Sequence, residues 1–178
     1  MRPEILFPLF QDVTALPGIG PRLAALVSKV AGPRVRDVLF TPPTGLVDRS
    51  RRTLITDAPA GEIVTLTARV DTHIPGQRQG QPYKVRLMDE SGFLNLVYFH
   101  ARKDYLTKLL PVGETRVVSG RVERFGSEIQ IVHPDIVMSE EAATDMPLIE
   151  PVYPLTAGLT AKPMRKAVDG ALDLVPDL

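Results

Sequence analysis

Between residues 62 and 138 the chain alternates hydrophobic and polar positions in short runs that are separated by turn residues. In the first run, Val64, Leu66, Ala68 and Val70 fall on one face, and threonine and arginine fill the other, as in a half-buried strand. The period of two predicts five strands and, beyond a kink at Pro134, a short extension: residues 63–70, 83–88, 93–100, 115–125, 128–132 and 135–138.

A helical period interrupts this pattern between the third and fourth strands. Leu106, Leu109 and Leu110 share one face of a short helix, which a Pro-Val-Gly sequence ends. Five short strands with a helix in this place are typical of an OB-fold, a partly open five-stranded Greek-key barrel that binds oligonucleotides or oligosaccharides. The sequence therefore favours a mainly β fold with flanking helices, and a generic small β-barrel is the alternative.

The segment before the barrel is predicted to be helical. A tight turn at Pro17-Gly18-Ile19-Gly20 leads into a helix that begins at Pro21. The turn resembles the hairpin of a helix-hairpin-helix element, which can direct backbone N–H groups at a DNA phosphate. The favoured interpretation is a structural turn, in which Leu16 and Ile19 anchor the packing of the helices.

An acidic linker follows the barrel, and the proline-rich residues 149–155 are predicted to be extended. Thr160 is a candidate N-cap for a helix over residues 161–175. The apolar face of this helix has no predicted partner, so we expect the chain to be a fragment of a longer protein. The expected organisation is a helical element, the barrel, and a linker with the start of a further domain: 1–56, 57–139 and 140–178.

Composition narrows the class of protein. Hydrophobic residues make up 44% and charged residues 24% of the 178 positions, which is ordinary for a globular protein. The absence of cysteine excludes a disulfide framework, a cysteine-ligated zinc site and a thiol nucleophile. The sequence has no run of about 18 apolar residues and no signal peptide, so we expect no membrane partner and an intracellular location.

The net charge is zero, but the charges are distributed unevenly. Lys and Arg outnumber Asp and Glu by eight to four up to residue 56, equal them at ten to ten over 57–138, and fall to three against seven after that. Such asymmetry can accompany nucleic-acid binding at one end, and chance variation on a solvated surface is the alternative. In the basic part, Arg49, Arg51 and Arg52 are candidate phosphate contacts. The alternatives are a solvated loop, or pairing of these side chains with Asp48 and Asp57 across a domain junction.

The sequence contains no catalytic constellation. His73, His100 and His133 lie outside any metal-ligand spacing. The chain has neither a G-x-x-x-x-G-K-[ST] phosphate loop nor a G-x-S-x-G nucleophile elbow. We therefore expect no enzymatic activity, no metal and no cofactor in this chain, and we expect it to bind a partner without transforming it.

The end of the third strand combines aromatic and basic residues. Tyr98 and Phe99 point to opposite faces of the sheet, so at most one belongs to the core, and Tyr105 follows closely. Proteins that bind single strands stack bases on exposed aromatic rings inside a cationic groove. These three aromatics are the stacking candidates, and the candidate phosphate contacts are the basic residues of the same region: Arg78, Lys84, Arg86, His100, Arg102, Lys103, Arg121 and Arg124.

Several separated motifs, in order, resemble the start of the bacterial RecG branched-DNA helicase family. They are Leu16-Pro17-Gly18-Ile19-Gly20-Pro21, Asp37-Val38-Leu39-Phe40 with Pro42-Pro43, Asp48-Arg49-Ser50, Tyr98-Phe99-His100, and the segment 151–159. The resemblance covers nearly the whole chain. It implies a wedge domain at the branch point of a stalled replication fork or Holliday junction, with aromatic residues that stack on unpaired bases. The family pattern has Asn after the two aromatics, where this chain has His100.

The resemblance also implies that the parent protein is an ATP-dependent DNA helicase of DNA recombination and repair. Its motor domains, with ATP and Mg²⁺, would lie C-terminal to this chain. The implied partners are branched DNA and those motor domains, and the implied state is a monomer in the bacterial cytoplasm, associated with the nucleoid. The alternative function is an OB-fold module that docks another replication or repair protein, and a barrel that binds RNA or a small molecule is a third.

Overall fold

The computed structural model describes residues 3–78 and 80–176, and the other residues, among them Gln79 of the loop after the first predicted strand, lie outside this description. The strands are β1 (Gly45–Asp48), β2 (Ile63–Ile74), β3 (Tyr83–Met88), β4 (Phe93–Tyr98), β5 (Thr115–Phe125), β6 (Glu128–Val132), β7 (Ile136–Met138) and β8 (Ile149–Val152). The α-helices are α1 (Pro21–Val30), α2 (Val35–Leu39), α3 (Lys103–Leu109) and α4 (Ala161–Leu172), and 3₁₀ helices span Glu4–Phe10, Val13–Ala15 and Ala142–Asp145.

The chain divides into two compact units, of which Val47–Glu150 is the β unit. Its described residues form a six-stranded sheet in the order β2-β3-β4-β6-β5-β7, and β2 also pairs with β5, which closes the sheet into a barrel. β4 and β6 run parallel, whereas the other neighbours are antiparallel. α3 follows β4 and places Leu106 in the barrel core. The predicted OB-fold is confirmed.

Alternation located these strands because their inward side chains are deeply buried, as Val64, Leu66, Val85 and Leu96 show. β3, β5 and β6 have the predicted bounds, whereas β2 is longer than predicted and continues beyond a register shift after Val70. β4 stops two residues earlier than predicted.

Gly120 of β5 pairs in regular register with Val64 of β2. Its role is a close approach of two strands. A Cβ atom added at Gly120 would lie 2.6 Å from Cγ2 of Ile131 on β6, so only glycine leaves room for that side chain.

The second unit comprises the segments up to Leu46 and from Pro151, and it is helical. α1, α2 and α4 share one core, to which these residues contribute: Val27, Val35, Val38, Met164, Ala167 and Ala171. The expectation that the apolar face of α4 lacks a partner is therefore wrong. Helical periodicity shows which face of α4 is apolar, but it does not show which distant segment covers that face. The division into two units accordingly differs from the expected division into 1–56, 57–139 and 140–178.

The turn before α1 contributes to packing within this helical unit. Leu16 and Ile19 are both buried, as the structural interpretation of the turn requires. Gly18 has φ = 73°, and a Cβ atom added there would lie 2.1 Å from Nζ of Lys166, which crosses the turn from α4. The backbone conformation therefore favours glycine, whereas the flexible end of the Lys166 side chain could move away from an added Cβ atom.

Candidate nucleic-acid interface

The last residue of β4 and the residue after it carry aromatic side chains with opposite surroundings. Tyr98 is 8% exposed and belongs to the barrel core, whereas Phe99 is 44% exposed. This is the division that alternation along a strand predicts. It also corrects one prediction, because Tyr98 is buried and exposes too little surface for its ring to stack on a base.

The backbone turns sharply directly after Phe99. Among the described residues, His100 (φ 60°) and His133 (φ 45°) are the non-glycine residues with positive φ. The left-handed region is unfavourable by roughly 1–2 kcal/mol for most L-residues, and Asn tolerates it better than most. β4 ends at Tyr98, two residues before the left-handed turn at His100.

His133 contacts Phe99 from the neighbouring strand. The backbone N–H of His133 donates to the carbonyl oxygen of Val97 at 2.9 Å, which fixes His133 to β4. The backbone N–H of Phe99 donates to Nε2 of His133 at 3.3 Å. The imidazole centroid lies 5.8 Å from that of Phe99 and 6.0 Å from that of Tyr98. The sequence reasoning missed His133, because no local pattern shows that β6 runs parallel beside β4.

Tyr105 is the other exposed aromatic of this region. It lies in the first turn of α3 and is 61% exposed. Burial raises the pKa of the Tyr98 phenol, and the nearby Tyr105 raises that pKa further. Within the described residues, Oη of Tyr98 is buried without a hydrogen-bond partner. Of the three candidate stacking residues, Phe99 and Tyr105 are therefore the two with exposed rings.

A cavity of about 330 Å³ opens beside Phe99. It lies between the β2–β3 loop and the start of α3, and its lining includes Gln81, His100 and Lys103. Its volume is at the lower end of the range of about 300–1,000 Å³ that is typical of small-ligand sites. The cavity places polar and cationic groups next to an exposed ring.

The predicted basic residues divide into two groups by their contacts. Arg78, Arg102 and Lys103 are exposed in the loops and helix around Phe99, as is His100. On β3, the ammonium group of Lys84 pairs with Glu128 at 3.2 Å. Also on β3, the guanidinium group of Arg86 lies over the ring of Phe93, 5.6 Å from its centroid. Arg121 donates a hydrogen bond to the carbonyl of Gly61, and Arg124 donates one to the carbonyl of Thr56 at 3.1 Å. Within the first group, His100 and Lys103 line the same cavity as Phe99.

Arg49 was a candidate phosphate contact, and the structure corrects this prediction. The residue is 5% exposed. Its guanidinium group donates to Glu150 at 3.0 Å, to Asp135 at 3.1 Å and to the buried hydroxyl of Ser119 at 3.1 Å. Arg49 therefore neutralises two carboxylates inside the β unit and does not present its charge to DNA.

The two arginines that follow remain at the surface. Arg51 is exposed and pairs with Glu62, which is equally exposed. Arg52 is also exposed, and its backbone forms an isolated bridge with Thr65 of β2. The three arginines of this segment thus have different surroundings although they lie within four positions of each other.

In residues 3–78 and 80–176, no group of three or more His, Cys, Asp or Glu side chains is arranged to hold a metal ion. None of the helices in those ranges has the length and apolar character needed to cross a membrane.

The strand order, the position of α3 and the exposed aromatic and basic residues after β4 define an OB-fold domain with a candidate nucleic-acid interface. A family model described as the RecG wedge domain matches residues 12–175. The chain belongs to the RecG wedge domain family, as the motifs of the sequence indicated.

Known proteins agree with this membership. The structure is similar to that of RecG bound to a three-way DNA junction, with a TM-score of 0.77 and 26% identity over 90% of this chain and 22% of that chain. The ATP-dependent DNA helicase RecG of Acidithiobacillus ferridurans is 29% identical over 174 residues, which are 96% of this chain and 25% of that protein. RecG of Escherichia coli K12 is 25% identical over 168 residues, which are 92% and 24% of the two chains. The chain thus spans about a quarter of the length of these curated relatives.

Proposed function

We propose that this chain is the DNA wedge of a RecG-type helicase, which binds stalled replication forks and Holliday junctions and separates the duplex at the branch point. The observation that carries the proposal is the exposed ring of Phe99 at the end of a barrel strand, beside the exposed cations Arg102 and Lys103. Membership of the wedge family and the similarity to RecG on a three-way junction support it.

The proposed mechanism replaces a lost base stack by an aromatic side chain. A base pair at a branch point has lost one stacking neighbour, and a ring placed there restores a π-face. Stacking of a base on an aromatic side chain contributes about 1–3 kcal/mol. In our proposal Phe99 and Tyr105 provide these rings, and the exposed cations hold the arms through their phosphates. Recognition then follows the shape of the branch and depends little on base sequence.

Phe99→Ala tests the stacking role. We expect this variant to weaken binding of a three-way junction by about fivefold or more, because a stack of about 1 kcal/mol or more is lost. The matched control is Phe125→Ala, which removes a more exposed phenylalanine side chain from the β5–β6 hairpin and should leave affinity unchanged. Fluorescence anisotropy with a labelled junction and a labelled linear duplex gives both affinities. Equal losses for the two variants would contradict the stacking role.

Salt dependence separates the proposal from the alternative of a protein-docking OB module. Phosphate contacts release counterions, so the affinity for DNA should fall steeply with log salt concentration. Removing the charge in Arg102→Ala or Lys103→Ala should reduce the slope by about one each. A module that docks a protein through an apolar surface would show no junction preference and no such slope.

The proposal extends to the parent protein. The curated relatives are ATP-dependent DNA helicases, and we propose that motor domains with ATP and Mg²⁺ sites act together with this wedge, outside residues 1–178. We also propose that the chain acts as a monomer in DNA recombination and repair, in association with the bacterial nucleoid. Junction unwinding by the whole protein, with and without Phe99→Ala, measures the contribution of the wedge.

A further inference from the structure

We infer that His133 is the positioning residue for Phe99, and that its imidazole holds the Phe99 ring in the orientation that meets DNA. The inference rests on the proposed function of Phe99. His133 would act through Phe99, without contacting the base itself. Two independent contacts carry it, namely the hydrogen bond from Phe99 N–H to Nε2 of His133 and the contact of the two rings.

Phe99 needs such support because the sheet no longer supplies it. β4 ends at Tyr98, and the next residue, His100, is in the left-handed region. The N–H of Phe99 therefore bonds to the side chain of His133, where a residue inside a strand would bond to a neighbouring strand. An exposed ring on an otherwise unpaired segment loses side-chain entropy when it binds, and a preformed orientation reduces that loss.

The topology explains how a residue 34 positions away reaches Phe99. β6 runs parallel to β4 with Val97 opposite Val132, so the residue after β6 lies beside the end of β4. The backbone N–H of His133 donates to the carbonyl oxygen of Val97, and this hydrogen bond fixes the position of His133 along the length of β4. Pro134 follows, and proline disfavours the right-handed helical region for the residue before it. His133 instead has φ = 45°, and the centroid of its ring lies 6.0 Å from that of Tyr98 and 5.8 Å from that of Phe99.

The imidazole of His133 also contacts the ring of Tyr98. The rings of Tyr98 and His133 meet edge-on at an interplanar angle of 86°, and Tyr98 itself is fixed in the barrel core. The barrel core thus fixes Tyr98, Tyr98 orients the His133 ring, and His133 orients the exposed ring of Phe99. In this arrangement Tyr98 supports the interface indirectly, through its contact with His133, although its own ring does not reach DNA.

The test is a double-mutant cycle with the full 178-residue chain, using His133→Asn, Phe99→Ala and the double variant. Asn tolerates positive φ and commonly precedes proline in turns, so His133→Asn keeps the backbone while removing the ring. We expect His133→Asn to weaken junction binding by about three- to tenfold, within the coupling usual for residues in contact. In the Phe99→Ala background the same substitution should change affinity less than twofold. An equal loss in both backgrounds would mean that His133 contacts DNA itself, and would overturn the inference.

A spectroscopic measurement reports the position of the ring directly. The chain has no tryptophan, so Phe99→Trp creates a single reporter at the site. Adding His133→Asn should lower the time-resolved fluorescence anisotropy of that tryptophan in the free protein. The control is Phe125→Trp, an exposed aromatic position on the β5–β6 hairpin, whose anisotropy should be unaffected by His133→Asn. Unchanged anisotropy at position 99 would also overturn the inference.

The two proposals fail in different ways. If Phe99→Ala leaves junction binding intact, the stacking function is wrong, and the anisotropy measurement alone then decides whether His133 orients Phe99. If Phe99→Ala weakens binding but the effect of His133→Asn persists without Phe99, the stacking function stands and the positioning role is wrong. A urea denaturation curve for His133→Asn should match that of the unchanged chain at the temperature of the binding assay, which excludes unfolding as the cause of either loss.

Discussion

Arg49→Ala removes the charged group at the centre of a buried hydrogen-bonded network. Three bonds are lost, at 3.0 Å to Glu150, 3.1 Å to Asp135 and 3.1 Å to the hydroxyl of Ser119. The backbone oxygen of Arg49 additionally accepts from the hydroxyl of Thr65 at 2.8 Å, a bond that the substitution leaves in place. The change therefore tests the side chain and leaves the local chain path intact.

The magnitude follows from the exposure of the partners. Removing one member of a fully buried ion pair typically costs about 3–5 kcal/mol of stability. Here the side chains of Asp135 and Glu150 keep 49% and 27% of their accessible surface, so water can solvate them after the substitution. We therefore expect Arg49→Ala to lower the free energy of unfolding by roughly 2–4 kcal/mol, below the upper end of that range.

Urea denaturation followed by circular dichroism measures this loss, with Arg51→Ala as the matched control. Arg51 pairs with Glu62 at the surface, where both side chains are 54% exposed, and exposed pairs contribute only about 0–1 kcal/mol. If Arg49→Ala costs no more stability than Arg51→Ala, the buried network does not stabilise the fold and the reasoning fails. If Arg49→Ala instead keeps full stability and lowers the salt slope of DNA binding by about one, Arg49 is a phosphate contact after all.

Two further substitutions have expected outcomes with opposite signs. Tyr98→Phe removes a buried hydroxyl that has no partner among the described residues. The free energy of unfolding should therefore stay the same or rise by up to about 1 kcal/mol. A decrease of more than about 1 kcal/mol in urea denaturation would reveal a hydrogen bond to Oη. His100→Val places a β-branched residue at φ 60° and should lower the free energy of unfolding by roughly 1–2 kcal/mol, whereas His100→Asn should be neutral. Equal thermal stability of the two variants would contradict the role assigned to backbone strain.

The barrel could be predicted from the sequence because its information is local. Each inward residue of β3 and β6 alternates with an outward one, and one face is buried, so the period of two locates the strand. The same rule indicated that at most one of Tyr98 and Phe99 belongs to the core. It did not indicate which one, because the answer depends on the face that β4 turns to the core.

The parts that escaped prediction depend on contacts between distant segments. Arg49 lies in a sequence that is typical of an exposed basic loop, and only the approach of Asp135 and Glu150 makes it a buried ion-pair residue. His133 lies next to Phe99 because β4 and β6 are parallel neighbours that are not consecutive in the chain. Lone histidines and arginines carry no periodic signal, so the fold must be known before their roles can be assigned.

The division of the chain into units has a consequence for its synthesis. The helical unit is made of two segments that are separated by the whole of Val47–Glu150. On a ribosome, α1 and α2 emerge first and must wait for α4, which buries their apolar residues, while the intervening barrel already has all of its strands. At about 5–20 residues per second this wait lasts on the order of 5–20 s. We therefore expect the barrel to fold co-translationally and the N-terminal helices to be the segment of the nascent chain that chaperones bind.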